Sequence, residues 1–375
     1  MFKFHRFAAV LMKEFVQMRR DRLTFAMMIG VPVMQLVLFG YAINMDPKAL
    51  PAAVVAADSS TFSRSLVRSI ENTGYFKIVA LPATVDEADR LLVLGKVQFV
   101  LQIPEDFSRK VQRGERATVL LEADASDPAA TSNALTALQQ VNLTGLDHDL
   151  TGALAARRTG PPAFEIRVHR RYNPEGITQY NIVPGLMGVV LTMTMVMMTS
   201  IAMTRERERG TMENLLATPV RPLEVMLGKI VPYVVVGYVQ VVVILTAAKF
   251  LFEVPIVGSL LLLSSVLVLF IGTNLAIGFT FSTLAKSQMQ AMQMTMFFFL
   301  PSMLLSGFMF PFRGMPEWAQ VIGEAFPLTH FLRIVRGIML KGSDAAEIAP
   351  NVWPLALILL AVSALALKRY QRTLD

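Results

Sequence analysis

Long apolar runs alternate with more polar stretches along this chain, and their lengths indicate which of them can cross a membrane. About 20 helical residues span the roughly 30 Å of hydrocarbon in a bilayer. Six runs come close to this length: 23–43, 180–203, 230–252, 255–282, 289–310 and 352–367. We therefore predict an α-helical membrane protein with six transmembrane helices, helix 1 within residues 23–45 and helices 2–6 within residues 178–375.

The region between the first two runs, residues 46–177, has a different pattern. Short β-type segments at 52–56, 76–81, 97–103, 117–122 and 164–169 alternate with helical segments at 60–70, 84–94, 105–113 and 128–157. Alternation of this kind predicts a layered α/β domain, here with a mixed sheet. The fold class is thus a six-helix membrane protein with an α/β domain inserted between helices 1 and 2.

The basic residues predict the orientation of the chain in the membrane. They cluster before the first apolar run, between the second and third runs, and after the sixth. By the positive-inside rule, both termini and the 204–229 segment are cytoplasmic, and the 46–177 domain is extracytoplasmic. Residues 1–22 mix aromatic and basic side chains, which is typical of an interfacial helix on the inner leaflet.

Composition agrees with a membrane protein that has a soluble part. The chain has 375 residues, of which 54% are hydrophobic and 17% are charged. The net charge of +7 follows from the topology and gives no reason to expect nucleic acid as a partner. There is no cysteine, so the α/β domain has to be stable without a disulfide.

The sequence contains no catalytic or metal-binding motif. Neither a G-x-x-x-x-G-K-[ST] phosphate loop nor a G-x-S-x-G elbow occurs. The four histidines have no metal-ligand spacing. We expect no metal site and no cofactor in this chain, which is predicted not to be an enzyme.

The predicted spans also lack charged side chains near their midpoints. Transporters driven by protons or sodium ions need ionisable groups at that depth, because the ion binds there. If this bundle transports a substrate uphill, the energy should come from outside the chain.

The segment 204–229 is too charged for lipid. Its helical pattern is broken at two prolines, in Thr218-Pro219 and Arg221-Pro222. Its pattern predicts a short, rigid, charged element that could receive a push from a soluble partner. A solvated loop that only obeys charge-topology rules explains the same residues equally well.

Several motifs together resemble the permease subunits of ABC-2 type transporters, in the branch with a large extracytoplasmic domain between helices 1 and 2. The 301–342 stretch resembles that family's fifth span and its outer re-entrant region. The 204–229 segment is similar to the family's coupling segment through Glu206, Arg207, Glu208, Gly210, Thr211, Glu213, Leu216, Thr218 and Pro219. Each match alone is weak, but all occur in the family's order.

The resemblance implies a set of partners. Two permeases, identical or homologous, would rest on ATP-binding cassette subunits, which would hold the ATP and magnesium. It implies a multi-pass protein of the bacterial inner membrane with a periplasmic domain, and it allows a periplasmic membrane-fusion or adaptor protein. The predicted coupling residues are Arg205, Glu206, Arg207, Glu208, Gly210, Thr211, Glu213 and Leu216.

Two further groups of residues are candidates for the substrate route. The helical runs supply flexible or aromatic side chains and one amide: Met193, Met197, Asn274, Met296, Phe297 and Phe298. Any one of them could instead face lipid or another helix. The outer re-entrant region, residues 311–350, supplies Pro311, Trp318, Pro327, Thr329, His330 and Arg336.

The function predicted from the sequence is export of an amphiphilic or hydrophobic substrate, such as a drug-like or lipid-like compound, by an ATP-driven transporter of which this chain is the permease. Two alternatives stay open. A secondary transporter or channel would work without an ATPase partner, and a membrane-anchored sensor or scaffold would tolerate polar substitutions in its spans.

Overall fold

The computed structural model describes residues 46–152, 154–155, 161–208 and 222–372. The predicted interfacial helix, 1–22, and the first predicted transmembrane helix, 23–45, lie outside the described residues. The described residues form an α/β domain followed by a helical bundle.

The α/β domain contains five strands and four helices. They are β1 (Leu50–Ala56), α1 (Thr61–Asn72), β2 (Phe76–Ala80), α2 (Val85–Val93), β3 (Phe99–Ile103), α3 (Phe107–Arg113), β4 (Ala117–Asp124), α4 (Pro128–Thr144) and β5 (Phe164–Arg171). The strand order is β2-β1-β3-β4-β5. Only the β3–β4 pair is antiparallel, which confirms the predicted mixed sheet.

Local sequence signals set the ends of these helices. The hydroxyl of Ser60 accepts a hydrogen bond from the Ser63 N–H at the start of α1, and Thr84 does the same for Glu87 at the start of α2. Gly114 follows α3 with a φ of 81°, a left-handed conformation that glycine adopts without strain. These caps satisfy backbone groups that a helix end leaves unpaired.

The prediction of one helix over 128–157 is wrong in its length. Helix α4 ends at Thr144, and Gly145 follows it. The Ser69 hydroxyl donates to the Gly145 carbonyl over 2.6 Å, and Leu146 and Leu150 then turn into the core of the domain. Burial of these two leucines outweighs the local preference for a longer helix.

The sheet has helices on both faces. Residues of α1, α3 and α4 pack on one face together with the fully buried rings of Phe99, Phe107 and Phe164. Helix α2 covers the other face through Ala88 and Leu92. This domain therefore has its own hydrophobic core and two layers of helices.

The bundle contains seven helices within the described residues. They are α5 (Thr178–Glu208), α6 (Pro222–Phe250), α7 (Leu260–Leu284), α8 (Gln288–Leu305), α9 (Glu317–Glu324), α10 (Pro327–Arg336) and α11 (Ala345–Arg372). A 3-10 turn at Phe312–Gly314 precedes α9, and a π-helical turn at Gly337–Lys341 follows α10.

Four of these helices are long and apolar enough to cross a membrane: 178–205, 232–250, 260–284 and 345–366. They coincide with four of the six predicted spans. Helix α8 coincides with a fifth, the 289–310 run, but it is less apolar because Gln288, Gln290 and Gln293 lie in its first two turns. The six-helix count remains a prediction.

The start of the fourth apolar run needs correction. This run does not become helical at Pro255: the backbone N–H groups of Val257 and Gly258 donate to the carbonyls of Met339 and Ile338, and α7 begins only at Leu260. From there α7 is continuous to Leu284.

Helix α7 lies at the centre of the bundle. Its residues pack against α5 and α11, and the ring of Phe270 stacks on Phe331 of α10 with 4.0 Å between the ring centroids. At Gly278 the backbones come so close that an added Cβ would lie 2.6 Å from the Val196 carbonyl oxygen of α5. Small residues of this kind allow close helix packing in membranes.

Candidate functional site

Buried polar side chains lie where α5, α7 and α8 meet. Eight polar residues of these three helices are at most 1% exposed: Thr192, Thr199, Ser200, Thr204, Thr273, Asn274, Thr295 and Ser302. The hydroxyls of Ser200 and Thr295 lie 3.1 Å apart and join α5 to α8. Within the described residues, the Oδ1 atom of Asn274 and the hydroxyls of Thr192, Thr199 and Ser302 have no hydrogen-bond partner. This interior therefore offers uncharged polar groups next to apolar ones.

The structure separates the residues predicted for the substrate route. Met193 and Met296 are half-buried and pack on the same apolar cluster at the centre of the bundle. The Asn274 amide donates to the Phe270 carbonyl of its own helix over 2.9 Å. Met197 is half-buried, while Phe297 is 41% exposed on the outside of α8.

Phe298 makes a different set of contacts. Its ring lies edge-on to Phe281 of α7 at 5.7 Å and to Phe326 at 5.6 Å. Phe326 immediately precedes α10, so Phe298 links α8 both to the central helix and to the short helices. The six predicted residues thus do not share one described surface.

Only four of the eight predicted coupling residues lie in the described part of the chain. Arg205 is exposed in the last turns of α5, and Glu206 and Arg207 belong to the same helix. Glu208 is its last residue. The other four predicted coupling residues lie outside the described residues: Gly210, Thr211, Glu213 and Leu216.

Glu208 binds the first turn of α8. Its carboxylate accepts hydrogen bonds from the backbone N–H of Gln288 over 2.8 Å and from the Gln288 side-chain amide over 2.5 Å. A carboxylate is favoured at a helix N-terminus by the helix dipole. The hydrogen bonds from Gln288 lower the pKa of Glu208, so it stays ionised at neutral pH. The end of α5 and the start of α8 are therefore fastened together.

In the 311–350 segment, three of the predicted residues support the turn between α9 and α10. Pro327 is the first residue of α10 and is buried. The Thr329 hydroxyl donates to the Gly323 carbonyl over 2.6 Å, and Nε2 of His330 lies 2.9 Å from the Glu324 carbonyl. These side chains satisfy carbonyls at the end of α9. Their contacts are structural.

Pro311 and Trp318 have different surroundings. Pro311 is buried and precedes the 3-10 turn, whereas the Trp318 side chain on α9 is 41% exposed. The predicted re-entrant region, 311–350, extends too far, because residues 345–350 are the first residues of α11.

Arg336 is the least satisfied of the predicted residues. Its Nη1 donates to the Gly307 carbonyl over 3.2 Å. Its Nε and Nη2 atoms are shielded and have no hydrogen-bond partner within the described residues. Burial lowers the pKa of this guanidinium, and the nearby carboxylate of Asp127 opposes that shift.

A cavity of about 490 Å³ lies between the α/β domain and the 306–351 part of the bundle. Four basic and four acidic side chains line it: Arg313, Arg333, Arg336, Lys341, Asp124, Asp127, Glu324 and Glu347. Of these, only Arg336 was predicted as a site residue.

Several contacts hold the two parts together beside this cavity. The Lys341 ammonium forms an ion pair with Asp124 at the end of β4, and both side chains are about 10% exposed (10% and 9%). Arg313 donates to the Gly95 carbonyl over 2.6 Å, and the Asn181 amide donates to Asp127 over 3.3 Å. The α/β domain is thereby anchored on the bundle.

Sequence reasoning missed these anchoring residues, although some signals were present. Arg313, Glu324 and Arg333 make the 311–350 segment too polar for lipid. Lys341 is part of the motif that resembles the ABC-2 family. No local pattern assigns Asp124 as its partner, because the two lie 217 positions apart. The described residues contain no group of three or more potential metal ligands.

Comparison with known proteins gives a consistent result. The profile described as "ABC-2 family transporter protein" matches residues 22–368. The chain is 27% identical to "Probable multidrug ABC transporter permease YbhR" of Escherichia coli K12, over 98% of this chain and 99% of the relative. It is 28% identical to "Probable multidrug ABC transporter permease YbhS", over 92% of each chain. "Inner membrane transport permease YhhJ" is also 28% identical, over 91% and 93%.

Proposed function

This chain belongs to the ABC-2 transporter family, and we propose that it is the permease subunit of an ATP-driven exporter whose ATP-binding subunits are separate chains. The observation that carries the proposal is the family match over residues 22–368 together with permease relatives of the same length. YbhR and YbhS are named as probable multidrug permeases, which supports a hydrophobic or amphiphilic substrate for this chain.

The proposed energy input is the 204–229 segment. Its residues 204–208 form the end of α5 and its residues 222–229 form the start of α6. Glu208 joins the end of α5 to the first turn of α8. A displacement of the segment by an ATP-binding partner would therefore move two helices at once. These helices carry the candidate route residues Met193, Met197, Met296, Phe297 and Phe298.

The interior of the bundle suits an uncharged or amphiphilic cargo. The polar groups buried most deeply in its described helices are hydroxyls and the Asn274 amide, and the middles of α5, α7 and α8 contain no charged residue. Hydroxyl and amide groups can bind polar parts of varied molecules, while methionine side chains adapt to apolar parts. The same arrangement gives no site for a driving ion.

The proposal includes an assembly and a location. Two permeases, identical or homologous, would form the path between them in the inner membrane, with both termini cytoplasmic and the α/β domain periplasmic. Helices α6 and α11 have broad exposed apolar faces, with Val239 58%, Val243 63% and Leu360 71% exposed. Such faces suit lipid or a second permease. The α/β domain would be free to contact a periplasmic adaptor.

The coupling segment can be tested by replacing its three acidic residues, Glu206, Glu208 and Glu213, with alanine. The variant should insert into the membrane normally. It should lose export, or lose its dependence on the partner's ATPase activity, because loss of a desolvated, hydrogen-bonded ion pair typically costs about 2–5 kcal/mol of binding. Copurification and substrate efflux in cells that express the ATP-binding partner measure both outcomes.

The matched control replaces three exposed glutamates of the α/β domain, Glu71, Glu105 and Glu115. It changes the net charge equally and should leave coupling intact. Native copurification and export by the coupling variant would contradict the mechanism. Export by the native chain without any ATPase partner would instead favour a secondary transporter or channel.

A further inference from the structure

In the cavity between the α/β domain and the bundle, some charged hydrogen-bond donors have no acceptor among the described residues. Its eight charged side chains form two ion pairs with one another in the described part of the chain: Lys341 with Asp124, and Arg333 with Glu324, whose oxygens lie 2.6 Å and 3.1 Å from the guanidinium. This leaves Arg313 and Arg336 as cations, and Asp127 and Glu347 as anions.

The two remaining carboxylates already have N–H donors. The Asp127 carboxylate accepts from the Asn181 amide over 3.3 Å and lies at the N-terminus of α4, where the helix dipole favours a negative charge. Glu347 accepts from the backbone N–H of Asp344 over 3.0 Å, closing the first turn of α11.

Arg336 is not satisfied in the same way. Nη1 is its only bonded nitrogen, so the Nε–H and both Nη2–H groups have no partner among the described residues. Leaving a buried donor unpaired costs about 1–3 kcal/mol, and more for a charged group. Nε and Nη2 share one edge of the guanidinium, and this edge holds a carboxylate or phosphate through two parallel hydrogen bonds.

We propose that this cavity is a binding site for an acidic group, a phosphate or a carboxylate, which the Nε/Nη2 edge of Arg336 holds bidentately once a rotation of the shielded guanidinium opens that edge to the cavity. Arg313 stands at the exposed side of the cavity, where its charge attracts an anion on entry. The volume of about 490 Å³ has room for such a group together with part of the molecule that carries it.

Asp127 limits the affinity of this site. Burial raises the pKa of its carboxyl, while Arg336 opposes that shift. In its ionised form, which the nearby Arg336 favours, Asp127 repels an incoming anion, so the Asp127→Asn variant should bind more tightly at a pH above the pKa of this carboxyl.

The acidic group could belong to a free ion or to the headgroup of an amphiphile. Two probes separate these sources on the purified full-length chain: inorganic phosphate, and dioctanoyl phosphatidylglycerol with dioctanoylglycerol as its uncharged counterpart. Affinity is measured from the concentration dependence of the thermal unfolding midpoint, since a ligand that binds only the folded chain raises it.

We expect Arg336→Lys, which keeps the charge but loses the two-pronged contact, to weaken binding of the responding probe at least ~10-fold. Asp127→Asn should strengthen it several-fold. Arg116→Gln, an exposed arginine on the α/β domain, is the control and should bind as the native chain does.

The responses to the two probes identify the source of the acidic group. A response to phosphate identifies a site for free oxyanions, and a response to phosphatidylglycerol alone identifies a headgroup site. If neither probe stabilises the native chain, or if dioctanoylglycerol stabilises it as much as phosphatidylglycerol, the site does not exist. Unchanged affinity in folded Arg336→Lys protein also overturns the assignment. If that variant does not fold, failure of Asp127→Asn to bind more tightly overturns it.

Discussion

The ion pair between Lys341 and Asp124 should make a large contribution to the attachment of the α/β domain. Both side chains are about nine-tenths buried (10% and 9% exposed). Asp124→Asn keeps the shape of the side chain and the Oδ1 atom that accepts from the Ser126 N–H. It removes the charge and replaces Oδ2, the acceptor for Lys341, with an amide nitrogen that can only donate, and so leaves a buried ammonium without a counter-ion.

The expected cost follows from that stranded charge. Removing one partner of a buried pair typically costs about 3–5 kcal/mol. The Lys341 ammonium also lies 5.2 Å from the centroid of the Tyr172 ring, a cation–π contact that is present in the native chain and therefore offsets none of the loss. Burial raises the pKa of this tyrosine to about 12, so its ring remains neutral. We expect a loss of roughly 3–5 kcal/mol in the free energy of unfolding.

A double-mutant cycle isolates the pair. Asp124→Asn, Lys341→Met and the combined variant are unfolded in mixed micelles and followed by tryptophan fluorescence. The chain has two tryptophans, Trp318 on α9 and Trp353 on α11, and both lie in the helices around the cavity. The combined variant has no stranded charge, so it should be more stable than Asp124→Asn alone.

Arg116→Ala is the control, because Arg116 forms an exposed pair with Glu165 at 3.5 Å and with 61% of its side chain accessible. Its loss should cost no more than about 1 kcal/mol. The reasoning fails if Asp124→Asn costs as little as this control, or if the combined variant loses the sum of the two single losses.

Two other predictions concern topology and packing. In a chain without native cysteine, Ala83→Cys, exposed on the α/β domain, should react with an impermeant thiol reagent from outside the cell, while Thr211→Cys should not; labelling of the latter in intact cells contradicts the proposed topology. Gly278→Ala should lower the free energy of unfolding by about 1–3 kcal/mol, because the new Cβ would lie 2.6 Å from the Val196 carbonyl. Gly272→Ala, whose Cβ meets nothing closer than 4.0 Å, should be neutral or stabilising when both variants are unfolded in mixed micelles and followed by tryptophan fluorescence. Equal losses of stability in the two variants would refute this packing argument.

The elements of the α/β domain could be predicted from the sequence because their signals are local. Alternating apolar residues, a serine or threonine cap and a glycine after the last turn are enough to place α1, α2 and α3. The end of α4 could not be predicted in this way. It depends on Leu146 and Leu150 reaching a core that forms only after the sheet has assembled.

The candidate sites show the same division. The charged segment after α5 and the polar character of 311–350 are visible in the sequence. The contact between Glu208 and Gln288 joins residues 80 positions apart, and the pair of Lys341 and Asp124 joins residues 217 positions apart. No periodicity or spacing encodes contacts of that range, since they arise from how separate elements pack.

Helix α8 connects the two candidate sites. Its first residue is held by Glu208 at the end of α5, and the carbonyl of Gly307, two residues after its end, is held by Arg336 at the cavity. Helix α8 has 18 residues and is about 27 Å long, and its backbone, with one internal proline at Pro301, runs from the one contact to the other. A partner that displaces the end of α5 would therefore also disturb Arg336. If binding of the partner changes the affinity of Arg336 for an acidic ligand by some factor, then by linkage the bound ligand changes the affinity for the partner by the same factor. The cavity and the coupling segment, although far apart, would then act on one equilibrium.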